Sequence, residues 1–327
     1  MTKKSQIHPS KSSILALSVS TGQKHSTEGR IIGSALAGVS ELILFHPVDT
    51  IAKRLMSNRG KIKQGTMKET MAKLDSVIFR EAADFSAGKK YLSLFPGIGW
   101  GGSYKILQRI YKFGGQPFVK DYFVKTPKFS SFFERRFGEK QAKPMMHATA
   151  GSIIGVGEIV LLPLDVLKIK AQTNPESIAG RGVIEIFSKE GMNLYRGAGW
   201  TAARNAPGSF ALFGGAAFVK EKVFKLEHYG QATWFQDFVA SIAGAMSSIS
   251  VAAPLDVVKT RLQSRAFDKQ REGGIKIIKD MAINEGPGSF FKGLAPKLMV
   301  VGPKLIFSFT VAQHAISYFD AKFTKVK

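Results

Sequence analysis

"LPLDVLKIKAQ" (residues 162–172) and "APLDVVKTRLQ" (residues 253–263) are near copies of one another, each running from an apolar stretch through a proline into charged residues. A looser third copy, "HPVDTIAKRLM", occupies residues 46–56. Three ordered copies mark an internal repeat, and a repeat of this kind decides the architecture before any local reading. Pro47, Pro163 and Pro254 stand 116 and 91 residues apart, so the unit is close to a hundred residues long.

Each proline follows a stretch dense in small residues: "IIGSALAGVSELILF", "ATAGSIIGVGEIVLL" and "FVASIAGAMSSISVAA". Gly, Ala and Ser let helices approach closely in lipid, and Gly151 with Gly155 forms a GxxxG pair. A second apolar stretch follows in each unit, over 97–123, 197–219 and 293–319, and each exceeds the ~20 residues that a bilayer demands. Between the two stretches lie segments such as "GVIEIFSKEG" and "GIKIIKDMAINEG", whose apolar spacing of three and four predicts a short helix on the membrane surface. The pattern predicts an all-α membrane protein with six transmembrane helices in three pseudo-symmetric repeats. Its repeats are 30–123, 142–222 and 233–321, joined by connecting loops at 124–141 and 223–232, with tails at 1–29 and 322–327. The first tail is rich in Ser and Lys with Glu28 as its one acid; it reads equally as a transit segment or as a plain disordered tail.

The 327 residues are 44% hydrophobic and carry a formal charge of +23. Apolar and basic residues must therefore be segregated, which suits a membrane protein with a basic interior or a soluble protein with a nucleic-acid face. No soluble basic domain separates from the six spans, so nucleic acid is not expected as a partner. The absence of cysteine excludes disulfides and thiol chemistry. The six histidines never approach metal-ligand spacing, so no metal is expected. No nucleophile, base and orienter fall together, so no enzyme is expected. The GxGxxG match at Gly97, Gly99 and Gly102 opens a membrane span rather than a βαβ unit, and close helix packing explains it.

Proline removes a backbone hydrogen bond and kinks a helix, so Pro47, Pro163 and Pro254 allow the three odd-numbered helices to converge at one end. On each of them the Asp two residues after the proline shares a face with the residue three further on. Paired across repeats, a carboxylate and an ammonium about 4 Å apart attract by roughly 4 kcal/mol at an effective dielectric near 20, before desolvation is counted.

The repeated Pro-x-Asp-x-x-Lys with a later aromatic-basic-Gly, read here at Pro163, Asp165, Lys168 with Tyr195-Arg196-Gly197, and at Pro254, Asp256, Lys259 with Phe291-Lys292-Gly293, resembles the signature of the mitochondrial carrier family. The resemblance covers 30–321. It implies a six-helix barrel with threefold pseudo-symmetry around a water-filled cavity, working as a monomer that exchanges a solute across the mitochondrial inner membrane by alternating access. It also implies a matrix gate of ion pairs, Asp49 with Lys168 and Asp165 with Lys259, braced by Gln172 and Gln263. Repeat one departs from the pattern: Ala52 stands where Lys168 and Lys259 stand, so Asp256 is expected to lack a partner. Lys53 is one position late, about 100° around the helix, and Phe95-Pro96-Gly97 replaces the aromatic-basic-Gly. The family's acidic motif near the other end is missing too, so packing and neutral hydrogen bonds are expected to close the cytoplasmic side. Cardiolipin is the implied bound lipid, at Gly197 and Gly293; no cofactor is implied.

Lys105, Arg109 and Lys112, with Gln108 beside them, form a basic stripe within the second span; lysines snorkelling to headgroups are the plainer alternative. Arg204 and Asn205 precede Pro207 on the fourth helix, where the family's substrate contacts fall, and Lys304 lies on the sixth. Cations on one side and apolar wall on the other suit a nucleotide. Two acids, Glu41 and Glu158, lie within the odd helices. Guanine presents two adjacent donors on its Watson–Crick edge and adenine one donor and one acceptor, so a carboxylate favours guanine; Glu158, then Glu41, are the candidates, against the alternative of acids that pair with a nearby cation. Stretches such as "LQRIYKFGGQPF" and "GWTAARNAPGSFALFGG" resemble guanine-nucleotide members of that family, which implies exchange of GTP for GDP. The rivals are an exchanger of another nucleotide and a carboxylate exchanger for citrate or oxoglutarate, which the Arg204-Asn205 pair also resembles.

Overall fold

The computed structural model describes residues 27–226, 232–265, 267 and 273–324, so most of the 1–29 tail lies outside the described residues. In the first repeat, α1 (Thr27–Ser57) leads through α2 (Met67–Phe79) and α3 (Ala87–Leu92) to α4 (Ile98–Lys125). A further helix, α5 (Pro127–Phe137), precedes the second repeat. That repeat comprises α6 (Glu139–Gly157), a 3-10 turn at Glu158–Leu161, α7 (Leu162–Thr173), α8 (Val183–Glu190) and α9 (Ala198–Phe218). The third contains α10 (Trp234–Gln263), α11 (Gly274–Asp280), α12 (Leu294–Met299) and α13 (Val301–Thr324). Among the described residues there is no strand.

Three helical segments are long and apolar enough to cross a membrane: Ala35–Ser57, Pro144–Thr173 and Trp234–Gln263. A fourth, Pro287–Met299 with Val301–Phe319, qualifies as one span bent by 42°. α4 and α9 have the length but carry Lys105, Arg109 and Lys112, or Arg204 and Asn205, and these residues lower their hydropathy. The helices form a closed ring. α1 packs on α4, α4 on α6 and α7, α6 on α9, α9 on α10, α10 on α12 and α13, and α13 returns to α1. Gly33 permits that last contact, since a Cβ there would lie 2.9 Å from the Ile316 backbone nitrogen.

The three prolines act differently from one another. Pro47 and Pro254 lie inside continuous helices, whereas Pro163 follows a real interruption, the 3-10 turn at Glu158–Leu161. A proline ring crowds the carbonyl four residues earlier, here Ile159, and the turn tightens there. The surface helix α2 is fixed by a capping box in which the Thr66 hydroxyl and the Glu69 carboxylate each accept the other's backbone N–H.

The expected connecting loop over 124–141 instead contains α5. Thr126 separates it from α4, and Gly138, at φ 78°, turns the chain into α6. Phe133 is buried with Phe123, Ala142, Met146 and Ala150. Phe129, Phe132 and Phe137 stay exposed, continuing the exposed apolar band of Phe118 and Tyr122 on α4. Ser131 and Arg135 occupy the other face. An apolar face with basic flanks at the end of a span suits a helix lying in the bilayer interface. Because the chain has no cysteine, single nitroxides can be attached in reconstituted protein. Labels at Phe129 and Phe132 are expected to collide preferentially with oxygen, and labels at Ser131 and Arg135 with a water-soluble nickel chelate.

Candidate functional site

Where α1, α7 and α10 converge, the buried Asp165 and the partly buried Asp49 meet cations of the next repeat. Lys168 donates to Asp49, and Lys259 lies 2.6 Å from Asp165. Both pairs match the sequence expectation. Asp256 does not: the expectation that it lacks a partner is wrong. Arg204 Nε of α9 lies 2.5 Å from its Oδ1, and Lys297 Nζ of α12 donates to its Oδ2 at 2.9 Å. The expected pairing considered only the odd-numbered spans. A buried carboxylate left bare costs several kcal/mol, and it is neutralised from the even-numbered spans of the ring, which are α4, α9 and the bent pair α12–α13. Lys53, one position late, turns instead to Thr260 Oγ1 at 3.1 Å.

The glutamines brace helices rather than the charged atoms. Gln172 donates to Thr50 Oγ1 of α1 at 3.0 Å, and Gln263 donates to the Arg196 carbonyl at 3.4 Å.

Midway along the ring the remaining predicted residues form two clusters. In one, Glu41 accepts from Lys105 at 2.5 Å and from Ser308, with Lys304 3.2 Å away; the acid is 6% exposed. In the other, Glu158 accepts from Tyr104 at 2.5 Å and from Gln108. Gln108 also donates to Tyr104 at 3.0 Å. Arg204 Nη1 donates to Asn205 at 3.0 Å, and Asn205 in turn donates to the Gly155 carbonyl at 2.5 Å. Arg109 and Lys112 are placed on α4, but their side chains lie outside the described ones. Ion pairs at Glu41 join α1, α4 and α13, while neutral hydrogen bonds join α4 to the 3-10 turn and α9 to α6, so cations and acids are held around one interior.

A further ring was missed in the sequence although aligned repeats print it, seven residues after each proline. Arg54 Nε donates to the Gln172 carbonyl at 3.0 Å, with its other nitrogens on Ile78 and Ser93 carbonyls at 2.5 and 2.8 Å. Lys170 donates to the Arg265 carbonyl and sits 3.9 Å from the Phe267 ring centroid. Arg261 donates to the Met56 and Asn58 carbonyls at 3.0 and 2.9 Å, and to Glu285 at 2.5 Å. Each cation thus caps carbonyls at the end of the next repeat's helix, where four are left without intrahelical partners. Burial raises the Glu285 pKa, but hydrogen bonds from Arg261 and Lys292 outweigh it and hold the carboxyl below its usual value.

The family model for mitochondrial carrier protein matches residues 140–227 and 230–322. The chain belongs to the mitochondrial carrier family. It is 59% identical over 297 residues to an uncharacterised mitochondrial carrier of Schizosaccharomyces pombe, covering 91% of this chain and 96% of that protein. It is 56% identical over 306 residues to mitochondrial GTP/GDP carrier protein 1 of Saccharomyces cerevisiae, covering 93% and 99%. Mitochondrial citrate transporter C of Aspergillus niger is 26% identical over 307 residues, covering 86% and 87%.

The family model matches the second and third repeats of the carrier. The first is the repeat that departs at Ala52 and Phe95-Pro96-Gly97. Its glycine nevertheless behaves like the others: Gly97, Gly197 and Gly293 all have positive φ and start α4, α9 and α12. At Gly293 a Cβ would lie 2.5 Å from the Ala52 carbonyl oxygen, so side chains are excluded by space as well as by backbone. The Lys292 ammonium is engaged within the protein, on Glu285 at 2.6 Å and on the Asn58 and Gly60 carbonyls at 2.9 Å. At the opposite end Lys220 pairs with Asp237 of α10. A carboxylate therefore does serve that side, supplied by the next helix rather than by the motif position. Replacing Arg261 with Met is expected to cost about 3 kcal/mol, because Glu285 loses both charged bonds from the guanidinium and the Met56 carbonyl loses its side-chain donor, while the Asn58 carbonyl keeps Lys292. A lower thermal denaturation midpoint in detergent checks it.

Proposed function

We propose that the carrier exchanges GTP for GDP across the mitochondrial inner membrane by alternating access. The observation that carries this reading is the 56% identity with the Saccharomyces cerevisiae GTP/GDP carrier over 93% of the chain. The interior supports it. Lys105, Lys304 and Arg204 come from three different even-numbered spans, and a triphosphate can engage all three with charge-assisted bonds. Each is balanced by an acid in the present state, so cargo exchanges one counter-charge for another instead of entering a bare basic site.

Glu158 is the group we assign to guanine. Tyr104 and Gln108 donate to its Oε1 and fix the carboxylate's orientation, while two guanine donors supply replacements that adenine cannot match. Asp49–Lys168, Asp165–Lys259 and the Asp256 cluster form the matrix gate in this reading. Cardiolipin would sit against the amides that follow Gly197 and Gly293, with the side chain of Lys292 held inside, and a monomer is the transporting unit. A carboxylate cargo has the Arg204–Asn205 pair in its favour, but it leaves the Lys105–Glu41–Lys304 cluster without a task.

Liposomes loaded with GTP are expected to take up labelled GTP and GDP well ahead of ATP, citrate or oxoglutarate. Faster uptake of citrate or oxoglutarate would replace the nucleotide reading. Glu158→Gln is expected to reduce the preference for GTP over ATP about tenfold, the worth of one charged hydrogen bond; an unchanged preference removes Glu158 from base recognition.

A further inference from the structure

The third acid of the gate is where the chain departs from its own symmetry. Asp49 and Asp165 each meet the lysine five residues after the proline of the next repeat. The position that would serve Asp256 is Ala52, which is 0% exposed and offers no charge. Asp256 is itself 4% exposed, and the cations in direct contact with it are Arg204 at 2.5 Å and Lys297 at 2.9 Å, with Lys53 of the first repeat adding a longer-range attraction. Lys297 belongs to the same repeat as Asp256, so only Arg204 ties the acid to another repeat through these two contacts.

Arg204 is also the interior arginine offered to the cargo. We propose that this one guanidinium is both cargo contact and gate latch, so that an anionic cargo opens the third part of the matrix gate directly by drawing Arg204 off Asp256. The proposal rests on the reading of the interior as the cargo site. Its geometry is already prepared. Asn205 accepts from Arg204 Nη1 and is tied to the Gly155 carbonyl of α6, which holds the arginine beside the interior while Nε faces Asp256. A guanidinium binds phosphate or carboxylate with the same fork of donors, so the two acceptors compete for one group. A polyphosphate brings more charge than one carboxylate. When it wins, Lys297 remains on Asp256, and the acid is not left bare while the helices part. With a lysine at position 52 the cargo would have no direct hold on this pair. An alanine there hands it to the cargo.

The latch is measurable without any nucleotide. In substrate-free protein purified in detergent, Arg204→Gln and Asp256→Asn are each expected to lower the thermal midpoint, with the double variant no lower than the worse single one. Additive shifts would overturn the latch. Coupling to cargo is read from Ala52→Lys, which returns a lysine to the symmetric position. GTP is then expected to bind severalfold tighter, because Arg204 is no longer shared, and exchange to slow severalfold, because cargo no longer breaks the pair. If Ala52→Lys does not fold, Lys297→Gln gives the opposite reading: Asp256 holds Arg204 harder, and GTP binds severalfold more weakly. Unchanged GTP binding in whichever of these variants folds overturns the coupling. A carrier that moves no GTP in liposomes sinks the nucleotide reading alone, since the thermal cycle still tests the latch.

Discussion

A carboxylate where three helices converge needs a cation beside it, and the carrier meets that need three times, at the buried Asp165 and Asp256 and at the partly buried Asp49. Desolvation makes a bare acid at such a place cost several kcal/mol, while a well-placed ammonium or guanidinium recovers the cost and binds two helices together. Asp49 and Asp165 meet it with lysines from the following repeat. Asp256 meets it with residues from the even-numbered spans. These contacts tie the three repeats together at that end, and each of the charges could be satisfied by a different partner.

Two layers of polar contact close that end, and they differ in kind. The charge pairs lie toward the interior, where an anion can compete for the cations. The layer beyond them is made by Arg54, Lys170 and Arg261, which donate to carbonyls at the end of a neighbouring helix. A carbonyl offers no net charge to compete for, so an anion would find no direct hold on the acceptors of this second layer. Glycines complete the arrangement: Gly293 lets the start of α12 lie against the Ala52 carbonyl, a proximity that any Cβ would prevent.

Threefold repetition hides functional asymmetry. Glu41 draws on cations of α4 and α13, and Glu158 on a tyrosine and a glutamine of α4. Neither has a counterpart at the third repeat's equivalent place in these clusters. An asymmetric cargo with a charged end and a flat polar base is better served by such an interior than by three equal contacts. The basic second span illustrates the same tension. Its lysines lower its hydropathy, and α4 remains a helix of the ring because Lys105 finds Glu41 rather than lipid.

The sequence determined the repeat and the helical class, because periodicity depends only on residue spacing. The pairs Asp49–Lys168 and Asp165–Lys259 and the place of Arg204 came with the family resemblance, and Glu41, Glu158 and Lys105 stood out as charges inside apolar stretches. The cations seven residues after each proline were legible in the same alignment but carry no sign of what they touch: their acceptors are carbonyls, which every residue has. The helix α5 was hidden because it lies between repeats, where no second copy points to it, and its Phe face has a clear spacing only once its ends are known. Only the tertiary structure decided the partner of Asp256. Symmetry predicted a vacancy opposite Ala52, but long side chains on neighbouring helices reach across ring positions that no spacing rule connects, and a buried charge takes whichever cation the fold brings near.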